Sequence, residues 1–210
     1  FIFSQKEEVS SAEKFLIRTQ DGYTIESVVL SMKQKNTLCL SSQVGCRMGC
    51  SFCETGKMGL IRNLSVREMI EQFFHARFSL SHKIENVVFM GMGEPFDNMN
   101  DVLRACDILR DPLGIGIGIK NMTLSTSGHV DGIEQLARSS SPVPHLAVSL
   151  HAAEDSLRSK LMPINRRWNL ARLKEALLLF SKLQKRAIFI AYILIEGVND
   201  SPDHARRLIS

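Results

Sequence analysis

The sequence predicts an α/β protein, a partial (βα) TIM-like barrel preceded by a β-hairpin. Three observations predict it. Near-continuous apolar runs of strand length alternate with amphipathic helical segments, the pattern of a parallel sheet covered by helices on its outer side. Each run is followed by a short segment of small and polar residues, and five such segments suit the rim where barrel active sites are built. Ahead of this alternation, two extended runs flank an Asp-Gly pair, a strong hairpin signal. A doubly wound sheet shares the periodicity and stays open as the alternative.

The elements follow in order. "KFLIRT" and "YTIESVVL", separated by "QDG", form the hairpin, and "TLCLSS" (37–42) is a third short strand. In "SVREMIEQFFHARF", Ser65 and Glu68 stand as a capping box, and Val66, Met69, Ile70, Phe73 and Phe74 share one helix face. "IENVVFM" (84–90) is a strand, followed by "GMGEP" and a helix at 99–110. "KNMTLS" (120–125) precedes "TSG" and a helix at 131–138. "PHLAVSL" (144–150) precedes "HAAEDS" and helices at 154–161 and 169–184. "AIFIAYILI" (187–195) is the next strand, followed by "EGVND" and a last helix. Residues 1–35 are thus expected to form a hairpin and lead-in, and 36–210 a core that stops before its last strand and C-terminal segment.

With 210 residues, 44% of them hydrophobic, the chain can bury the core of one domain. A net charge of +4 is compatible with a nucleic-acid partner without establishing one. No basic-then-apolar leader opens the chain, and its longest apolar run is about half of what a bilayer crossing needs. Five cysteines make a poor disulfide framework. In the reducing cytosol a tight cysteine cluster binds metal or does chemistry, so a cytoplasmic protein is expected. The chain opens on Phe1 and ends on "SPDHARRLIS", which reads as an unfinished helix, so a longer polypeptide is expected.

The segment "TLCLSSQVGCRMGCSFCETG" (37–56) holds Cys39, Cys46, Cys50 and Cys53. The last three follow C-x3-C-x2-C. Three thiolates on one loop can ligate three irons of a four-iron cluster and leave the fourth without a protein ligand. A zinc site that adds Cys39 as fourth ligand, in a non-catalytic RNA-binding module, is the rival reading. Cys106, in "VLRACDIL", reads as a buried small hydrophobe, and "GIGIG" (114–118), lying before a strand, as a loop.

Phe52 gives the motif the form C-x3-C-x-aromatic-C. Cys39 lies seven residues upstream, and "MGMGEP", "LSTSG" and "SLHA" follow in order. On this ordered set the chain, from about residue 14 onward, resembles the RlmN/Cfr family of radical S-adenosylmethionine (SAM) RNA adenine methyltransferases. The resemblance implies a barrel of the radical SAM type with two cofactors, one 4Fe-4S cluster with an open iron, held by Cys46, Cys50 and Cys53, and SAM. It implies SAM contacts at Gly93, Glu94, Ser125, Ser149, Leu150 and His151. Glu26, in "TIESVVL", matches the family's proton acceptor.

Two further cysteines serve that family. One near the C-terminus is methylated by a first SAM, and a deoxyadenosyl radical from a second SAM then activates that methyl toward the adenine ring. Cys39 matches the other, which resolves the resulting protein–RNA crosslink and ends in a disulfide. No cysteine follows Cys106, so this chain by itself is expected not to methylate RNA. The implied product is adenosine methylated on carbon 2 in 23S ribosomal RNA and beside the tRNA anticodon. Methylation on carbon 8, an antibiotic-resistance reaction, is the alternative; Pro95 leans toward carbon 2. The implied partners are ribosomal RNA, tRNA and an electron-donor protein, with no membrane and a monomeric chain. Lys57, Arg62, Arg166 and Arg167 flank the loops, where they read equally as phosphate binders or solvated surface.

Overall fold

A computed structural model gives the fold and describes residues 3–6, 11–32 and 35–209. The expected hairpin and lead-in therefore falls partly, at residues 1–2, 7–10 and 33–34, outside the described residues. β1 (Phe3–Lys6), β2 (Ala12–Arg18), β3 (Thr24–Met32) and β4 (Lys35–Cys39) pair in sequence, each antiparallel to the next. β4 then pairs in parallel with β7 (Ile84–Phe89), and the parallel series continues through β8 (Met122–Thr126), β9 (His145–Ser149) and β10 (Phe189–Ala191). The result is one sheet in the order β1-β2-β3-β4-β7-β8-β9-β10. The hairpin is thus not a separate appendage, because β3 joins it to the parallel strands edge to edge.

Helices follow each parallel strand. α2 (Val66–Phe74) comes after the cysteine loop, α3 (Met99–Arg110) after β7, and α4 (Val130–Ala137) after β8. α5 (Asp155–Leu161) and α6 (Leu170–Gln184) follow β9, and α7 (Pro202–Ile209) follows β10. The capping box on α2 forms as the sequence predicts, Ser65 accepting from Glu68 N and Glu68 from Ser65 N. Five residues beyond α2, His75–Ser79, widen into a π-turn.

Alternation along the strands shows where the core sits. Ile25, Val29, Leu38, Val87, Met122 and Leu124 are buried among apolar side chains of the covering helices, Met69, Phe73 and Val102 among them. Gln72 crosses that same layer. Its carbonyl accepts from Ser27 Oγ (2.6 Å) and Ser41 N (2.8 Å), and its amide donates to Ser41 O (3.0 Å). On the opposite face the register puts Cys39, Val88, Thr123 and His145 in one row, all partly exposed. That half-open face is the inner wall of a barrel left open at β10.

The strand expected over 187–195 shrinks to Phe189–Ala191, and all three residues are exposed. Among the described residues β10 pairs with β9 alone, and the ladder ends where β9 ends. Beyond it the backbone turns toward the "SLHA" rim. A short two-stranded sheet was not foreseen: β5 (Gln43–Cys46) pairs antiparallel with β6 (Gly59–Asn63), enclosing the four-residue helix α1 (Glu54–Lys57).

Candidate active site

β5 and β6 clamp the base of the cysteine loop. Cys46 is the last residue of β5 and lies opposite Gly59. Within the loop Cys53 N donates to Cys50 O (3.1 Å), a tight turn that sets these two thiols on one side. Ser51 N donates to Leu161 O (2.9 Å), fastening the loop to the end of α5. All five cysteines are free thiols.

Over this loop opens a cavity of about 310 Å³, the scale of a small-molecule site. Cys46, Cys50 and Cys53 are among its lining residues, and so is Phe52. Gly93 and Glu94 come from the end of β7, Ser125 and Ser127 from β8 and its rim, Ser149 and His151 from β9 and its rim. A slightly larger cavity, about 340 Å³, lies between the hairpin turn and α2. Its central cation, Arg62, is already paired with Asp21 and Glu68, each at 2.7 Å.

The thiols are shielded. Burial pushes Cys46 up to about 11 and Cys50 up to about 12, and the neighbouring thiols and Glu94 add to both shifts. Ligation therefore has to displace protons. Among the described residues no three His, Cys, Asp or Glu side chains converge on one ion-sized point. Three thiols on one loop can ligate three irons of a four-iron cluster. Cys39 is not among the residues that line the cavity. It ends β4 between Val28 and Val88, where burial raises its pKa to about 12 and the nearby charge of Glu26 adds to the rise. Cys39 thus stands in the strand ladder and outside the lining that the other three cysteines share.

Glu94 is the most telling polar group. It is 2% exposed. Its Oε2 accepts from Ser127 N (2.8 Å) and Ser127 Oγ (2.7 Å), and its Oε1 from Phe96 N (3.2 Å). Its own N donates to Gln43 Oε1 (2.9 Å). Burial raises its pKa, the donors oppose this, and none of these partners carries positive charge. A buried carboxylate facing a cavity without a cation fits a ligand that brings an ammonium group. Gly93 allows the approach: its φ is +104°, and a Cβ there would lie 2.6 Å from Gln43 Cβ.

His151 also sits in left-handed backbone, with φ +57°. Its Nδ1 accepts from Ile193 N (3.0 Å), so in the neutral ring the proton is on Nε2. Phe52 meets the ring edge-on at 5.0 Å between centroids. Burial, with the charge of Arg158 adding, lowers its pKa to about 4. Asn199 closes the arrangement, donating to His151 O and Ile193 O (both 2.8 Å). The "EGVND" rim is thereby joined to "SLHA".

Of the residues singled out in the sequence, Cys46, Cys50, Cys53, Gly93, Glu94, Ser125, Ser149 and His151 meet at this cavity. Leu150 does not line it; its N donates to Ala191 O (2.9 Å) and its carbonyl faces away to Arg158. Glu26 pairs with Lys14 (3.2 Å) and is half exposed. It lies on the same sheet face as Cys39, two residues from Cys39's partner Val28. Ser127, Arg158 and Asn199 were missed. Arg158 leaves one trace in the sequence, a charge on the inward stripe of α5, three residues before Leu161.

Residues 40–209 match the family model described as the radical SAM superfamily, so the chain belongs to that superfamily. Its relatives narrow the class. The chain is 51% identical over 195 residues to the probable dual-specificity RNA methyltransferase RlmN 1 of Protochlamydia amoebophila, covering 93% of this chain and 54% of that protein. It is 46% identical to the dual-specificity RNA methyltransferase RlmN 1 of Myxococcus xanthus, covering 93% and 55%. The crystal structure of a radical SAM methyltransferase from Sphaerobacter thermophilus superposes with a TM-score of 0.93 at 41% identity, covering 99% of this chain and 61% of that one. The chain therefore spans little more than half the length of the proteins it matches. Among the described residues no helix is long and apolar enough to cross a membrane.

Proposed function

We propose that the chain is the cluster- and SAM-binding core of a cytoplasmic RNA adenine methyltransferase, with residues 1–35 as a sheet extension and 36–210 as the core. The observation that carries the reading is one cavity, with no Lys or Arg in its lining, shared by three free thiols and a buried carboxylate whose hydrogen-bond partners are uncharged. Bound there, a 4Fe-4S cluster and SAM supply one-electron cleavage of the sulfonium and the methyl group. The residues do the rest. Cys46, Cys50 and Cys53 are the residues that would each ligate one iron of such a cluster. Glu94, aimed by Ser127, receives the ammonium of SAM, and the close backbone at Gly93 lets it approach. Ser125, Ser149 and the rim at Leu150 and His151 orient the remainder, with His151 donating from Nε2. Phe52 and Met162 cover the cavity's apolar side and exclude water.

Cys39 and Glu26 act on the RNA side of the same sheet face, Cys39 resolving the methyl-cysteine crosslink and Glu26 taking the proton from the adenine. The substrates are 23S ribosomal RNA and tRNA, methylated on carbon 2 of adenosine; the names of the relatives support an RNA substrate. The deciding experiment is anaerobic reconstitution with iron and sulfide, followed by reduction in the presence of SAM. Roughly four irons per chain and 5′-deoxyadenosine release support the reading. One zinc, no sulfide and intact SAM overturn it. In the longer protein, mass analysis of the modified nucleoside that put the methyl on carbon 8 would reverse the assignment to carbon 2.

A further inference from the structure

Arg158 is the bulkiest side chain that the fold buries completely. Its hydrogen-bond acceptors are uncharged: Nε donates to Leu150 O (3.1 Å), Nη1 to Asn165 Oδ1 (3.0 Å), and Nη2 to Ser127 O (2.7 Å) and Ser149 O (3.1 Å). Those carbonyls belong to the ends of β8 and β9, the two serine rims of the cavity. The guanidinium therefore ties both rims together from behind. Ser127 bridges it to the carboxylate, since the same residue donates to Glu94 through N and Oγ. The helix that carries Arg158 also holds the cysteine loop, through Ser51 N to Leu161 O.

A fully buried guanidinium is tolerated only where its donors are matched, and here all four hydrogen bonds reach the strand-end carbonyls and Asn165. Asn165 in turn donates to Asp155 Oδ1 (2.8 Å), which ties the fork to the start of α5. We infer that Arg158 is a positioning residue of this site. Its fork holds the Ser127 and Ser149 rims in register with the cysteine loop. The inference rests on the proposed cluster-and-SAM reading of the cavity.

The test uses the chain reconstituted with iron and sulfide as wild type, Arg158→Lys, Arg158→Gln and Asn165→Ala. SAM binding is followed by calorimetry and by the change it makes in the EPR signal of the reduced cluster. In Arg158→Gln SAM affinity is expected to fall about tenfold, because the rims lose their register. Arg158→Lys keeps the charge but not the fork, and loses SAM affinity as well. Asn165→Ala removes one acceptor and behaves the same way. A purely structural arginine would lower the unfolding midpoint yet leave SAM affinity and the SAM-dependent EPR change at wild-type values in every variant that folds, and that result overturns the inference. If neither Arg158 variant folds, unchanged SAM affinity in Asn165→Ala overturns it alone. A wild-type chain that takes up no iron and sulfide overturns the reading of the cavity instead.

Discussion

Acid should loosen this fold through His151. The ring is buried, and its pKa falls from 6.5 to about 4. The folded state therefore prefers the neutral ring, and the unfolded chain binds the proton first as pH drops. Stability from this residue is complete above pH 6.5, declines as pH falls through that window, and is lost near the folded value of about 4. Between about pH 7.5 and about pH 5 the unfolded state gains a factor of roughly 30 from protonation and the folded state almost none. The loss is RT ln 30, about 2 kcal/mol. His151→Asn is the control, because asparagine tolerates left-handed backbone and its amide oxygen can accept from Ile193 N. Glu94, whose pKa is raised, works in the opposite direction. It remains in both proteins and cancels in the difference. Urea denaturation of the reduced, metal-free chain at the two pH values should show wild type losing about 2 kcal/mol more than the variant. Equal losses would refute the reasoning and put the His151 ring in contact with water.

Gly93→Ala combines left-handed strain with contact against Gln43, and should cost about 3 kcal/mol in urea; a loss below about 1 kcal/mol would mean that the rim moves freely. Cys50→Ala should abolish cluster assembly, whereas Cys39→Ala should leave iron, sulfide and 5′-deoxyadenosine yields at wild-type levels. A fall in iron for Cys39→Ala would return it to the metal site. Gln72→Ala strands Ser27 Oγ and the backbone groups of Ser41 in the core, so a loss of about 3 kcal/mol is expected in thermal or chemical unfolding; near-neutral behaviour would mean that water reaches them.

The helices and most strands were readable because their signals are local. Ser65 and Glu68 cap α2 from three residues apart, and the period of Met69 and Phe73 buries one face. β10 was misjudged for the opposite reason. Its nine-residue apolar run has the composition of a central strand, but a strand lengthens only while a neighbour pairs with it. Beyond Ala191 the backbone answers instead to His151 and Asn199, more than forty residues apart in the chain. The β5–β6 pair hid for a similar reason. "QVGC" and "GLIRN" are short and mixed in polarity, and their register is set across the whole cysteine loop.

The site divides along the same line. Three thiols at fixed spacing, a carboxylate beside a glycine and a histidine at a strand end are side-chain chemistry, so residue identity carries the information. What aims them is mostly backbone. Arg158 donates to the carbonyls of Ser127, Ser149 and Leu150, and any residue would present the same oxygen. Asn199 likewise bonds the carbonyls of His151 and Ile193. Such acceptors leave no mark in the sequence; only the donor does, as an arginine where the α5 stripe calls for an apolar residue. A charge that breaks an inward stripe just past a motif-bearing rim is thus the feature to seek when the rim has been found and its support has not. At an ordinary surface position that arginine would be unremarkable; on the stripe, its burial obliges it to find acceptors, and the nearest unpaired ones are the strand-end carbonyls behind the site.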